Sequence, residues 1–362
     1  MTDFMTKNKE KLEQFAAMSQ AAGSRSDYVQ GGGGNTSVKL ADGLMAIKAS
    51  GYCLSDIRPD KAYAVLDYEA LRRFYYGNEP AQLADVEKLG SACAKENTKL
   101  IEGMDALRPS VEAGFHSILK TFVCHTHSVY ANLAACSTAC CEIAEKAFNG
   151  ADYTWGWVPY TDPGANLTFA IRDELRRVEE KTGKVPSVIL MQNHGIIVHD
   201  DDAERCLAIH ADANERLAQQ FGIHGDSFPA ISVRQSSEEL YEADTPYLRE
   251  ALKNCRYDYK TFIETPLYPD QMVFLIGTFF MDKEGTPAEG ECYADTRTGA
   301  LVLHMGEKKA KTITETLTAV IFIMDTVTKM GYTVSTMGEA AKSFIANWES
   351  EKYRKSLAGK KG

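Results

Sequence analysis

The sequence predicts an α/β layered unit over residues 1–225, followed by a smaller α+β unit over 230–362. Three observations carry this. Up to about residue 225, short apolar, β-branched runs alternate with stretches of helical period. The stretch HGDSFPAIS (224–232) then interrupts the alternation with glycine and proline. The remainder carries strand and helix signals of its own, among them the apolar run 312–331. A chain of 362 residues is also long enough for roughly two domains at about 150 residues each.

Each element has a local reason. Residues 3–22 are spaced as an amphipathic helix that stops near Gly23. The glycine run 31–34 leads into a hairpin, because apolar segments flank Ala41-Asp42-Gly43 and Asp-Gly favours a tight β-turn. Residues 61–67 read as a strand, and 68–77 as a helix ending at Gly77. Residues 78–109 read as polar and irregular. Residues 108–120 turn helical after Pro109 and Ser110, and 121–127 form a strand running into His125 and His127. Further helices are expected over 128–147, 167–183 and 201–222, a strand and turn over 155–166, and strand–turn–strand over 185–199 around Asn193-His194-Gly195. In the second unit, 236–253 reads as a helix, 268–280 as a strand and 290–306 as a strand pair. Residues 312–331 and 338–359 read as helices, and Lys360-Lys361-Gly362 as a solvated end. No internal repeat or low-complexity tract is evident.

Composition excludes several function classes. Lysine plus arginine number 40 and aspartate plus glutamate 50, a formal charge of −10. That balance argues against a general nucleic-acid binder, which needs a basic footprint. The nine cysteines include no C-x-x-C pair, so neither a disulfide framework nor a cysteine zinc site is expected. The opening MTDFMTKNKEKLEQ is too polar for a secretory signal, and no apolar run approaches a membrane span. The expectation is a cytoplasmic protein with mostly buried, reduced thiols, and no nucleic-acid or membrane partner.

The residues that can carry chemistry are few. His125 and His127 are two apart in a strand, so both rings face one side, as a shared metal requires. His194 sits in a turn between two apolar strands and can supply a third imidazole. Three histidines leave an open fourth position, the arrangement of a catalytic zinc. Glu112, on the first turn of the helix leading into the metal strand, is the candidate acid/base. By spacing alone it reads as an ordinary first-turn helix glutamate, with Ser110 one residue too close for an ideal capping box. His116, four residues on, reads as a packed helix histidine. Gly34, Asn35 and Ser37 belong to a segment (31–37) whose backbone N–H groups and side chains can cradle an anion, and Ser50-Gly51 offers another donor pair. The segment is equally readable as a flexible lead-in to the hairpin.

Taken together, these pieces resemble the class II aldolase/adducin family. The matching order is Gly-Asn-x-Ser (Gly34, Asn35, Ser37), Ser-Gly (Ser50, Gly51), Pro-Ser-x-Glu (Pro109, Ser110, Glu112), His-x-His (His125, His127) and Asn-His-Gly (Asn193, His194, Gly195). The resemblance covers roughly residues 5–225. It implies a central, mostly antiparallel sheet flanked by helices. His125, His127 and His194 would hold a divalent metal, usually Zn2+, and Glu112 would be the catalytic acid/base. Gly34, Asn35, Ser37, Ser50, Gly51 and Ser110 would line the substrate or phosphate pocket. A homo-oligomer, typically a tetramer, is implied as well.

Val111 departs from the fuculose-phosphate aldolase pattern, where a second serine precedes the glutamate; one phosphate donor is thereby lost, and Lys39 and Lys48 are candidate compensating charges. The segment is closer to the aldolase half of bifunctional rhamnulose-1-phosphate aldolase/dehydrogenase proteins, although the C-terminal part has no Gly-x-Gly-x-x-Gly. The resemblance implies a lyase that cleaves a ketose or ketose 1-phosphate to dihydroxyacetone (phosphate) and an aldehyde through a metal-stabilised enediolate. The alternatives are a same-family decarboxylase or epimerase acting on a sugar acid or sugar phosphate, or a non-catalytic adducin-like scaffold. Pentose-phosphate epimerases carry aspartate where Glu112 stands, and scaffold relatives lose metal ligands that this chain keeps.

Overall fold

The computed structural model describes residues 3–347. Eight strands form the first sheet: β1 (Asn35–Lys39), β2 (Leu44–Lys48), β3 (Tyr63–Asp67), β4 (Thr98–Lys99), β5 (Phe122–Thr126), β6 (Trp155–Val158), β7 (Val188–Met191) and β8 (Gly195–Asp200). Their spatial order is β4-β3-β2-β1-β5-β8-β7-β6. Every pair is antiparallel except β6–β7. The α/β architecture with a mostly antiparallel sheet flanked by helices is therefore present. The expected hairpin is β1–β2, and its turn places Asp42 at φ 60° and Gly43 at φ 71°. Aspartate and glycine tolerate that left-handed backbone better than other residues.

The C-terminal end of β1 shows how the sequence anchors the sheet to its helices. Lys39 is buried, and its amine donates to the carbonyls of His116, Leu119 and Lys120 at 2.9, 2.5 and 2.6 Å, capping the C-terminal end of the helix Ala113–Ile118. Burial, and then the charge of Arg72, push its pKa well below the usual lysine value. Lys39 is thus no compensating charge for a substrate phosphate: its donors serve the helix end. Lys39→Met would remove the buried donor shared by three carbonyls, of which Leu119 keeps Arg72 as a partner, and a loss of about 2 kcal/mol of stability is expected in urea unfolding. An unchanged midpoint would refute that role.

Residues 78–109 are not wholly irregular. A helix, Val86–Glu96, begins at Asp85, whose carboxylate accepts from the Lys88 N–H. Val86, Leu89 and Cys93 recur at helical spacing, but Gly90 is the one buried residue of this helix, so the apolar stripe is short and set in an otherwise polar run. Gly90 lets the helix press against Ala165, and Glu87 accepts from the N–H groups of Ala165 and Asn166, capping the long helix Ala165–Thr182.

The second sheet has five strands: β9 (Val233–Ser237), β10 (Leu240–Ala243), β11 (Phe279–Met281), β12 (Cys292–Asp295) and β13 (Ala300–His304), in the order β11-β12-β13-β10-β9. Two sequence expectations are corrected here. Residues 236–253 are not one helix; they close the β9–β10 hairpin and then form the helix Pro246–Lys253. Pro246 holds the preceding residue extended and starts the helix at its first position. Residues 268–280 are not one strand; they form the helix Pro269–Leu275 and then β11. A short apolar run does not by itself distinguish the two states. The helix Glu307–Lys329 covers the run read as helical, and the helix expected over 338–359 is described as Glu339–Asn347. The rest of that helix and the tail at 360–362 lie outside the described residues.

One apolar core runs through both units, from Leu12, Phe15 and Tyr130 to Leu275, Ile313 and Val320. The second unit therefore packs on the first as interior does on interior. All nine cysteines are free, five of them buried. Among the described residues no helix is long and apolar enough to cross a membrane.

Candidate metal centre

Three segments bring the histidines together. His125 lies near the end of β5, where it is register partner to Asn35 on β1 and to Ile197 on β8. Directly opposed residues of an antiparallel pair share a face, so Asn35 and His125 point the same way. His127 follows one residue past the end of β5. His194 is carried by the turn between β7 and β8, with Asn193 at φ 50° and Gly195 at φ 157°. A Cβ on Gly195 would run into the Thr126 carbonyl and come within 3.2 Å of the His127 Cα. Glycine there is what lets the turn lie against the end of β5. The three ring centroids form a near-equilateral triangle of 4.9, 5.0 and 5.1 Å.

All three rings are buried, and one nitrogen from each lies within 4.8 Å of the others. His125 donates Nδ1–H to the Ile196 carbonyl at 3.0 Å, and His127 donates Nδ1–H to Asp270 at 2.5 Å. Those partners leave the Nε2 lone pairs of both rings facing each other 3.2 Å apart. Burial drives the pKa of His125 down to about 3, so its ring is neutral.

Glu112 completes the cluster. Its Oε2 lies 3.6 Å from His125 Nε2, and its Oε1 3.2 Å from His194 Nε2. The latter contact lacks hydrogen-bond geometry, and Oε1 has no hydrogen-bond partner among the described residues. Burial alone would raise the Glu112 pKa; a positive charge in the cluster it faces, first at His125, lowers it well below the usual carboxylate range. Two imidazole lone pairs and a carboxylate oxygen thus converge without a donor between them. A cation satisfies such a set, and 3.2 Å suits two nitrogens each about 2.0–2.1 Å from a tetrahedral zinc. The residues present fit a divalent metal.

Behind the carboxylate runs a one-way chain of hydrogen bonds. Asn35 Nδ2 donates to Glu112 Oε2 at 2.6 Å and lies 3.2 Å from Ser110 Oγ. With its amide nitrogen so engaged, Asn35 Oδ1 accepts from His116 Nε2–H. His116 Nδ1 then accepts the Ser37 hydroxyl at 2.7 Å. Burial, and next the proximity of His125, push the His116 pKa well down, consistent with a neutral ring. His116 is therefore more than a packed helix histidine: it holds the amide that orients Glu112. Its signal in the sequence was the spacing of four from Glu112. Ser37 is fully buried with its hydroxyl on His116, separated from Glu112 along this chain by His116 and Asn35.

The remaining candidate residues gather beside the carboxylate. The Ser50 N–H donates to the Arg108 carbonyl, and Ala49 bridges Pro109, which sets Ser50 and Gly51 next to Ser110. Gly51 is exposed at φ 86°. Gly34 has φ 64°, and a Cβ there would strike the His125 carbonyl, so the glycine run can approach β5 only as glycine. Lys48 Nζ donates to the carbonyls of Gly32 and Tyr52, joining the glycine run to the Ser50–Gly51 turn.

Sequence reasoning found no cluster of chemistry in the second unit, yet that unit reaches the site. Asp270 touches His127, the Leu267 and Ser335 carbonyls each accept from Asn193 Nδ2 at 2.8 Å, and Glu315 accepts the Gly31 N–H at 3.0 Å.

Several solved structures are similar to this chain. They include the N-terminal class II aldolase domain of a conserved protein from Thermoplasma acidophilum, at 20% identity and TM-score 0.47, covering 57% of this chain and 92% of that one. A sugar-phosphate aldolase from Thermotoga maritima matches at 14% identity and TM-score 0.38, covering 58% and 94%. An L-fuculose-1-phosphate aldolase from Thermus thermophilus matches at 15% identity and TM-score 0.34, covering 58% and 93%. No curated protein matches the sequence. The profile of the class II aldolase and adducin N-terminal domain matches residues 13–221, the segment that carries β1 to β8, Glu112 and all three histidines, and the chain belongs to that family.

Proposed function

We propose that the protein is a metal-dependent aldolase that cleaves a ketose, or a ketose 1-phosphate, to dihydroxyacetone (phosphate) and an aldehyde. The observation that carries this reading is the seating of Glu112: ionised, buried, oriented by Asn35, and set against three imidazoles that point at one volume. A divalent metal, zinc by the three-imidazole donor set, supplies stabilisation of the negative charge that moves onto the ketose oxygens as the carbon–carbon bond breaks. His125, His127 and His194 would hold it.

The protein's own part is proton transfer and binding. In cleavage, the hydroxyl of the aldehyde half gives up its proton to a base and becomes the aldehyde carbonyl as the carbon–carbon bond breaks. The electron pair of that bond remains with the dihydroxyacetone half, and Glu112, having taken a proton from solvent, delivers it to that carbon, the reverse order holding in synthesis. Asn35 donates to the oxygen of Glu112 and keeps the other oxygen turned to the site. Gly34, Ser50, Gly51 and Ser110 are the proposed substrate contacts, and Lys48 fixes the two loops that bear them. Val111 offers no hydroxyl, so a terminal phosphate would have fewer donors than a pair of serines provides. A homotetramer belongs to the same proposal and would be read as four chains per particle by light scattering.

The test is a panel of ketose 1-phosphates and free ketoses, following release of dihydroxyacetone or its phosphate. Cleavage that is lost with chelator and restored with zinc is expected. No cleavage from any ketose, by protein holding one equivalent of metal, would overturn the aldolase reading in favour of decarboxylation of a sugar acid.

A further inference from the structure

We propose that Asp270, carried by the second unit and outside the family-matched segment, is a positioning residue of the metal centre, fixing His127 with its Nε2 aimed at the metal. The inference rests on the metal reading above.

Asp270 is 1% exposed and its Oδ2 lies 2.5 Å from His127 Nδ1. The imidazole has two nitrogens, and a carboxylate on one forces the proton there and leaves a lone pair on the other. That other nitrogen faces His125 Nε2. The three rings are backed differently. His125 has a main-chain carbonyl on Nδ1, and His194 Nδ1 has no partner among the described residues. Only His127 has an anion behind it in this way. A negative charge behind an imidazole makes it a stronger ligand and restricts its rotation.

A second, independent feature shows a site built around the pair. Gly33 lies against it: a Cβ there would overlap Asp270 Oδ2 and come within 3.1 Å of His127 Nδ1. The third glycine of the run is thus required by a residue more than 200 positions away. The helix Pro269–Leu275 that presents Asp270 is itself held at both sides of the centre. The Tyr268 hydroxyl donates to Gln30, just before the glycine run. Leu267 accepts from Asn193, on the turn that carries His194, and Gln271 accepts the Leu267 N–H while donating to Phe262. The second unit therefore does more than cover the first; it supplies one wall of the metal centre.

The experiment uses the full chain and Co2+ as the probe, read by its d–d absorption and by competition with a chromophoric chelator. Asp270→Asn keeps an acceptor for Nδ1–H and loses the charge; Asp270→Ala loses both. Expected is Co2+ binding about 10-fold weaker in the first and about 100-fold weaker in the second. The absorption should shift in Asp270→Ala, and the melting of metal-free Asp270→Asn should stay at the wild-type value. Should Asp270→Ala fail to fold, Asp270→Asn carries the test by its affinity alone. Wild-type affinity and spectrum in the folded variants would overturn the role of Asp270 while leaving the metal site standing. A wild-type protein that takes up no Co2+ would overturn the metal reading and this inference with it.

Discussion

Glu112→Gln is expected to bind one equivalent of metal and to cleave substrate about 10²–10⁴-fold more slowly than the wild type, with the loss in kcat. The substitution is nearly isosteric. The new amide oxygen can still accept from Asn35 Nδ2, so the chain from Ser37 through His116 to Asn35 keeps its terminus. The three imidazoles are untouched. What disappears is a group able to carry a proton to and from carbon. If Glu112 instead served mainly as a metal ligand or as packing, the variant would lose metal or stability rather than turnover. Measuring metal content, KM and kcat on the same preparation separates these outcomes. Turnover within a few-fold of the wild type would rule out Glu112 as the acid/base.

That experiment tests the part of the molecule most legible in the sequence. His125 and His127 in a β-branched run, and His194 in a tight turn, are local patterns, and strand periodicity alone says which way two of the rings face. Glu112 was legible only as a member of an ordered set of motifs; by spacing it could have been an ordinary helix-start residue. The role of His116 was hidden because it depends on a distant partner: Asn35 lies 81 residues earlier, and only the β1–β5 pairing and the helix before β5 bring them together. Asp270 was hidden more deeply. Its partner is 143 residues away, and the run that holds it reads as a strand because apolar residues dominate it. The helix Val86–Glu96 is hidden for a different reason: its apolar stripe, Val86, Leu89 and Cys93, is short and lies within a long polar stretch. Local chemistry is visible in a sequence to the extent that its partners are near in the chain, and the supports behind this site are long-range.

His194→Ala should separate the metal from the fold. The turn that bears His194 is held by its neighbours rather than by its ring. Asn193 donates to Leu267 and Ser335 and accepts from the Ser335 hydroxyl, and Gly195 packs on the end of β5. His194 Nδ1 has no partner among the described residues, so removing the ring breaks no hydrogen bond there. The metal-free variant is therefore expected to melt close to the metal-free wild type. Its metal affinity should fall sharply. A closed four-ligand zinc site is worth about 10–16 kcal/mol, or about 3 kcal/mol per ligand, which is roughly 100-fold in affinity. The melting temperature of the wild type should rise with added zinc as binding favours the native state, and that rise should shrink in the variant at the same zinc concentration. Cleavage should fall to background at a metal concentration that saturates the wild type and recover in part at higher zinc. A variant with wild-type metal affinity would remove His194 from the ligand set and leave a two-histidine site, with Glu112 as the nearest remaining donor.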